Sequence, residues 1–151
     1  IRSSLFELAE ERYDGVFANH AIDDVVLYEY CHRTGVSFES LYNDARLYRD
    51  TWLEIERDMS WMPEFLNRLA IRLASLLTPG GILVLSDNQS FSHQALKLTC
   101  VTGIVRYAQG YIRKRLVAQG LESGEAGIPQ RMRTDRFVVQ KDDVIVFERP
   151  Q

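Results

Sequence analysis

The chain has few cysteines, no long apolar run and no leader-like start. No stretch of its 151 residues stays apolar for the roughly eighteen positions that a membrane-spanning helix needs. The first residues lack the basic and then apolar pattern of a signal peptide. The two cysteines, Cys31 and Cys100, are isolated, which argues against a disulfide framework. We therefore expect a cytoplasmic protein with no membrane partner and with two reduced thiols at the core or its boundary.

Composition and charge fit one globular domain with an uneven surface. Hydrophobic residues make up 46% of the chain, and the formal net charge is −3, which argues against general nucleic-acid binding. Residues 1–64 hold 14 acidic and 6 basic side chains, whereas residues 106–136 hold 3 acidic and 7 basic ones. The basic side chains of the second region either solvate a helix end and a loop or face an anion.

Two segments are typical of strands buried in a sheet. The apolar run from Val16 ends at Asn19, and a second run covers Ile82–Leu85. Between them, apolar residues recur at helical spacing after Pro63 and predict a helix. Thr78-Pro79-Gly80-Gly81 then predicts a helix stop and a tight turn. Strands that alternate with helices indicate an α/β fold with a largely parallel sheet.

Four further segments complete the predicted order of elements. Asp23-Asp24 and the residues after them predict a helix that begins with an acidic cap. Residues 32–62 are polar but rich in aromatic side chains, and we interpret them as an insertion or lid. Residues 91–119 predict a long helix, in which Gly103 and Gly110 mark a bend or close packing. Two apolar runs, 137–140 and 144–148, predict an antiparallel hairpin.

Three segments, in this order, resemble the second half of class I S-adenosylmethionine-dependent methyltransferases: Tyr13 to Asp24, Leu76 to Gly81, and Phe137 to Phe147. The resemblance implies strands four to seven of a Rossmann-like sheet, mostly parallel with a reversed seventh strand in a terminal antiparallel hairpin. Residues 1–151 would then form one partial domain. The family's Gly-x-Gly-x-Gly loop and the acidic residue after it do not occur in the chain. We expect both to precede Ile1, which is not a start methionine.

The resemblance implies S-adenosylmethionine as cofactor and a site at the carboxyl ends of the strands, where open α/β sheets bind ligands. Ala18, Asn19 and His20 are the candidate cofactor-binding residues. His20 is a candidate base, and Asp23 would orient an amine or hydroxyl of the acceptor. The alternatives are that His20 packs at the strand end and that Asp23 stabilises the helix start.

The candidate substrate-binding residues are Tyr28, Asp87 and Asn88. Asp87 and Asn88 end the second strand, where they line a pocket or form a turn. Tyr28 would cover a flat or cationic substrate, although core packing is the alternative, which we favour for Trp52 and Trp61. No metal site is predicted, because no ligand spacing brings the acidic residues and His20 together.

The predicted function is methyl transfer from S-adenosylmethionine to a small-molecule acceptor, by a protein that forms homo-oligomers in one interpretation. The chain alone is expected to bind the cofactor poorly and to expose apolar surface. One alternative is an RNA or protein methyltransferase that docks through the basic region 106–136. Another is a methyltransferase-like interaction module without catalysis.

Overall fold

Five helices share one core with a four-stranded sheet in the computed structural model, which describes residues 11–19, 21–86, 96–124, 131–133, 138–140 and 144–151. The described elements are β1 (Tyr13–Asn19), α1 (Ile22–Thr34), α2 (Phe38–Asn43), α3 (Ala45–Arg57), α4 (Met62–Ser75), β2 (Leu77–Ser86), α5 (Thr99–Ala118), β3 (Glu122–Gly124), β4 (Arg131–Arg133), β5 (Val138–Gln140) and β6 (Val144–Glu148). The mixed α/β class is confirmed.

The four strands lie in the order β1-β2-β6-β3. β1 and β2 are parallel, and β6 runs antiparallel to both of its neighbours, β2 and β3. Three strands therefore point one way, and the last strand of the chain is reversed and lies between two of them. β4 and β5 form a separate antiparallel pair.

The predicted terminal hairpin is wrong. β5 pairs with β4, and β6 enters the main sheet instead of pairing with β5. In that sheet Phe147 lies opposite Leu83, and both side chains are fully buried. The turn-like residues 141–143 suggested a local partner, but burial of Phe147 against the helices favours the distant one.

α2 and α3 lie within the segment that we interpreted as an insertion or lid. Leu41, Tyr48, Trp52 and Ile55 are buried and belong to the same core as the other helices. Trp61 is half-buried and packs against that core. Both tryptophans therefore contact the core, as predicted, and the two helices form part of the helical layer.

The Pro-Gly-Gly segment is a bulge inside β2, whereas the sequence predicted a turn before the strand. β2 already begins at Leu77, and its register with β1 shifts between Tyr13 and Gly15. Gly80 has φ +78°, which favours glycine. A Cβ on Gly81 would lie 2.9 Å from the Thr78 carbonyl oxygen and 3.0 Å from that of Tyr13. The close approach of these backbones therefore requires glycine at position 81.

Arg149 holds this bulge to the end of α4. Its backbone N–H donates to the carbonyl of Gly81 at 3.0 Å, and its carbonyl accepts from Gly80 N–H at 2.8 Å. Its guanidinium Nη1 donates to the carbonyls of Ala74, at 3.2 Å, and Leu77, at 2.9 Å. The side chain therefore links the last turn of α4, at Ala74, to the first residue of β2, at Leu77.

Replacing Arg149 by Leu should lower the free energy of unfolding by about 2 kcal/mol, because two carbonyls lose a charged donor. Urea denaturation followed by circular dichroism measures the change. Arg46→Leu is the matched control, since Arg46 is exposed and faces Asp50 at 3.7 Å. We expect the control to change stability by less than about 0.5 kcal/mol. Equal losses in the two variants would contradict the structural role of Arg149.

One face of the sheet carries apolar side chains outside the shared core. The strand register aligns Phe17, Val84 and Val146 in a row across β1, β2 and β6. The Phe17 side chain is 77% exposed, and Ile82 on the same face is 42% exposed. Since parallel strands are normally covered on both faces, this row is a surface that another chain segment or molecule would cover.

Phe17→Ser should reduce self-association of the 151-residue chain and its binding of a hydrophobic dye. The expected cause is loss of the largest exposed ring on an edge strand of the described sheet. Sedimentation velocity and dye fluorescence measure the two effects. Val117→Ser, at a 51% exposed position on α5, is the matched control and should change neither. A wild-type chain that is monomeric and binds no dye would refute the expectation.

Candidate functional site

The carboxyl ends of β1 and β2 lie side by side. Ala18 is opposite Leu85, and Asn19 is opposite Ser86, at the last position of each strand. α1 begins at Ile22, so its first turn lies at this same edge. Ala18 is half-buried and packs against the core, which leaves its backbone as the group available to a ligand.

Some of the predicted site residues fall outside the description. The structure gives Asn19 only as strand backbone, and His20, Asp87 and Asn88 lie outside the described residues. Their assignments remain predictions. Asp23 and Tyr28 are described, and both belong to α1.

The predicted acidic cap of α1 is wrong. The N-cap residue is Ala21, and no side chain caps the helix there. Asp23 and Asp24 instead occupy the first turn, where the Asp24 backbone N–H donates to Asp23 Oδ1 at 3.0 Å. Acidic residues in a first turn are still stabilised by the helix dipole. The predicted helix is confirmed, but it begins at Ile22, ahead of the predicted cap at Asp23-Asp24.

Asp23 is a buried carboxyl at this edge of the sheet. Only 7% of the residue is exposed, because it faces the core from the first turn of α1. Burial raises the pKa of Asp23 to about 6, and the neighbouring charge of Asp24 adds to the increase. A carboxyl group that titrates near neutral pH is suited to exchanging protons with a substrate.

Two tyrosines from the following helices surround the acidic pair. The Tyr42 hydroxyl donates to Asp24 Oδ1 at 2.5 Å, and burial with this hydrogen bond raises the pKa of Tyr42. The Tyr48 ring lies 6.0 Å from that of Tyr42, and burial raises the pKa of Tyr48 to about 12. Both phenols therefore stay protonated at neutral pH and act as hydrogen-bond donors.

Tyr28 lies one turn after Asp24 and is 48% exposed. Its ring makes an edge contact with Phe38, with centroids 5.6 Å apart, and Phe38 contacts Tyr42 in the same way at 5.3 Å. Tyr28 and Phe38 also line a shallow depression of about 180 Å³, together with Cys31, His32 and Val36. An aromatic surface thus continues from the acidic pair along α1.

Sequence reasoning missed the link between Tyr42 and Asp24. The link depends on the chain reversal after α1, where Gly35 has φ +77° and its N–H donates to the Cys31 carbonyl at 2.9 Å. The sequence His32-Arg33-Thr34-Gly35 indicates a break after α1, but a break does not specify which residues it brings together. The glycine C-cap followed by an aromatic helix was the available signal.

Metal-ligand groups, membrane-spanning helices and similarity to known proteins do not indicate a function for the described residues. In the described ranges, no three His, Cys, Asp or Glu residues are grouped to hold a metal ion. No helix in those ranges combines the length and apolar character needed to cross a bilayer. The comparisons of the chain with family models, with curated proteins and with solved structures gave no match. Function is therefore argued from the contacts of the chain's own residues.

Asp23→Asn should stabilise the protein progressively as pH rises. The folded pKa of about 6 exceeds the ordinary value of 3.8, so folding takes up a proton between these values and stability falls as pH rises through them. The variant has no carboxyl at this position and does not lose this stability. Its unfolding free energy should therefore rise relative to that of wild type by about 2 to 3 kcal/mol between pH 4 and pH 8. Urea unfolding at several pH values tests this.

The exposed Asp50 provides the control, because Asp50→Asn removes a charge from the surface of α3 and leaves the core unchanged. The difference in unfolding free energy between Asp50→Asn and wild type should stay nearly constant with pH. If the unfolding free energy of Asp23→Asn also differs from that of wild type by a constant amount at every pH, Asp23 does not titrate as a buried carboxyl.

Proposed function

We propose that the chain forms the C-terminal part of an S-adenosylmethionine-dependent methyltransferase domain that acts on a small-molecule acceptor. The proposal joins the sequence resemblance to three features of the sheet. β1 and β2 are parallel with adjacent carboxyl ends, α1 begins at that edge, and the last strand is reversed. Each is a feature that the resemblance implies for strands four, five and seven.

The observation that carries the proposal is the buried Asp23 at the carboxyl edge of the parallel pair. Methyl transfer from a sulfonium is an in-line displacement, which needs an oriented nucleophile and often a base for its proton. Asp23 has a pKa of about 6, so it is largely ionised at neutral pH and still able to hold a proton. We assign it the role of orienting the acceptor's hydroxyl or amine and taking up the proton.

The described residues fit one wall of a cofactor site. The backbone of Ala18 and Asn19 ends β1 beside β2, which is the position at which open α/β sheets bind ligands. These residues and His20 would hold the methionine end of the cofactor, which supplies the methyl group when bound. Tyr28 would contact the acceptor through its exposed ring.

The uncovered sheet face supports the expectation of a further segment. Phe17, Val84 and Val146 form an apolar row that the described helices leave outside their core. β1 is an edge strand of the described sheet. A first strand beside β1, with helices over Phe17, would cover both and complete a doubly wound sheet.

Calorimetric titration of the natural-length protein with S-adenosylmethionine tests the proposal. We expect saturable binding that S-adenosylhomocysteine competes for, and no heat with ATP, which shares only the adenosine part. The 151-residue chain should bind at least about tenfold more weakly, because one wall of the site is absent. Circular dichroism confirms that each sample is folded. No heat with a folded natural-length protein would reject the proposal and favour the non-catalytic module.

A further inference from the structure

The outward face of α5 is basic and aromatic. The helix contains no acidic residue, and its four basic residues, Arg106, Arg113, Lys114 and Arg115, are all exposed. Tyr107 on the same side is 41% exposed. The opposite side of α5 is buried in the core through Val101, Ile104, Val105, Ala108, Gln109, Ile112 and Leu116. The charge is thus confined to the solvent side of one helix.

The positive charges of this face are not neutralised by the described residues. Elsewhere, Arg33 and Arg68 both pair with Glu29, and Arg46 faces Asp50. On α5 the partners given by the structure are uncharged. Arg115 lies over the Tyr111 ring at 5.3 Å, and Arg113 donates to Ser123 Oγ at 3.5 Å. Neutral contacts orient the guanidinium groups and leave their charge available to a partner.

Two glycines lie along the same side of the helix. Gly103 and Gly110 are exposed and seven positions apart. Neither has a positive φ, and a Cβ built on either would meet no atom within 4 Å apart from the helix's own nearby backbone and the adjacent residues. Close packing, one of the two alternatives from the sequence, is therefore not found among the described residues. A glycine inside a helix costs about 1 kcal/mol relative to alanine. No contact in the described part of the chain explains that cost, whereas bare backbone permits close approach by a partner.

We propose that the face formed by Arg106, Tyr107, Gly110, Arg113 and Lys114 binds single-stranded RNA. The phosphates would contact the three cations, of which Arg106 and Arg113 are about 10 Å apart along the helix. An unpaired base would stack on Tyr107, which is the usual combination in single-strand binding. The sugar-phosphate backbone would cross the helix at Gly110.

An exposed aromatic ring beside the cations favours a nucleic acid over an acidic peptide, because bases stack on such a ring and carboxylate side chains do not. RNA is the form of single strand that a protein in the predicted cytoplasmic location meets. The net charge of −3 suggested the opposite, but the local field of a helix with four basic and no acidic residues governs an encounter at that face. The inference does not depend on methyl transfer.

Fluorescence anisotropy of the natural-length protein with labelled oligouridine tests the inference. Three phosphate contacts predict a slope of about −2 for log affinity against log salt. Arg106→Glu with Arg113→Glu should lower affinity at least tenfold. Arg46→Glu is the matched control, because it makes the same charge change on α3, and it should lower affinity less than about twofold.

Two further variants separate RNA from other polyanions. Tyr107→Ala should lower affinity about tenfold through loss of one stacked base. Gly110→Leu should weaken binding by a similar factor while leaving the melting temperature equal or higher, since the added side chain meets open space. These substitutions lie on the surface of α5, so thermal unfolding can verify that each variant is folded.

Several results would overturn the inference. One is a salt slope near zero, and another is an unchanged affinity in Tyr107→Ala. Binding of polyglutamate or anionic lipid vesicles as tight as that of oligouridine would likewise reject RNA as the partner. Loss of S-adenosylmethionine binding in the titration above would leave this result unaffected, so the two proposals fail separately.

Discussion

The guanidinium and backbone of Arg149 join three parts of the fold at one point. They bind the Ala74 carbonyl in the last turn of α4, the Leu77 carbonyl at the start of β2, and the bulge at Gly80 and Gly81. β1 meets the same point, because Tyr13 N–H donates to the Leu76 carbonyl at 2.7 Å and Thr78 donates to Asp14 at 2.7 Å. The direction of β6 follows, since Arg149 directly succeeds it. With that strand fixed, Phe147 faces the helices and closes the core.

The geometry of the candidate site is a consequence of this joint. After the bulge, β1 and β2 stay in register from Gly15 to Asn19, so their carboxyl ends finish together. The first turn of α1 is then held against the core, and Asp23 is buried there even though burial raises its pKa. Keeping such a carboxyl costs stability at neutral pH. Buried ionisable groups that lower stability are concentrated at functional sites. For this reason we assign the functional role to Asp23 and not to the exposed Asp24.

The spacing of apolar residues predicted most of the helices and strands. It did not predict the contacts between segments that are distant in sequence. The predictions of a helix after Pro63 and of a strand ending at Asn19 are confirmed, because the spacing of apolar residues indicates which face is buried. The partner of β6 was wrong, since alternation along a strand is the same whichever strand lies beside it. The bond between Tyr42 and Asp24 was missed for a related reason. It depends on the angle of the chain reversal at Gly35, and residue spacing does not encode that angle.

One further chain segment would complete both the uncovered sheet face and the proposed cofactor site. The row of Phe17, Val84 and Val146 lies outside the core, and β1 is an edge strand of the described sheet, so both can receive a further segment. A segment that supplied both would also bring backbone to the carboxyl ends of β1 and β2, where Ala18 and Asp23 lie. Completing the core and completing the ligand site would then be one event. In that case cofactor binding would depend on covering Phe17, although this side chain lies on the sheet face and makes no catalytic contact.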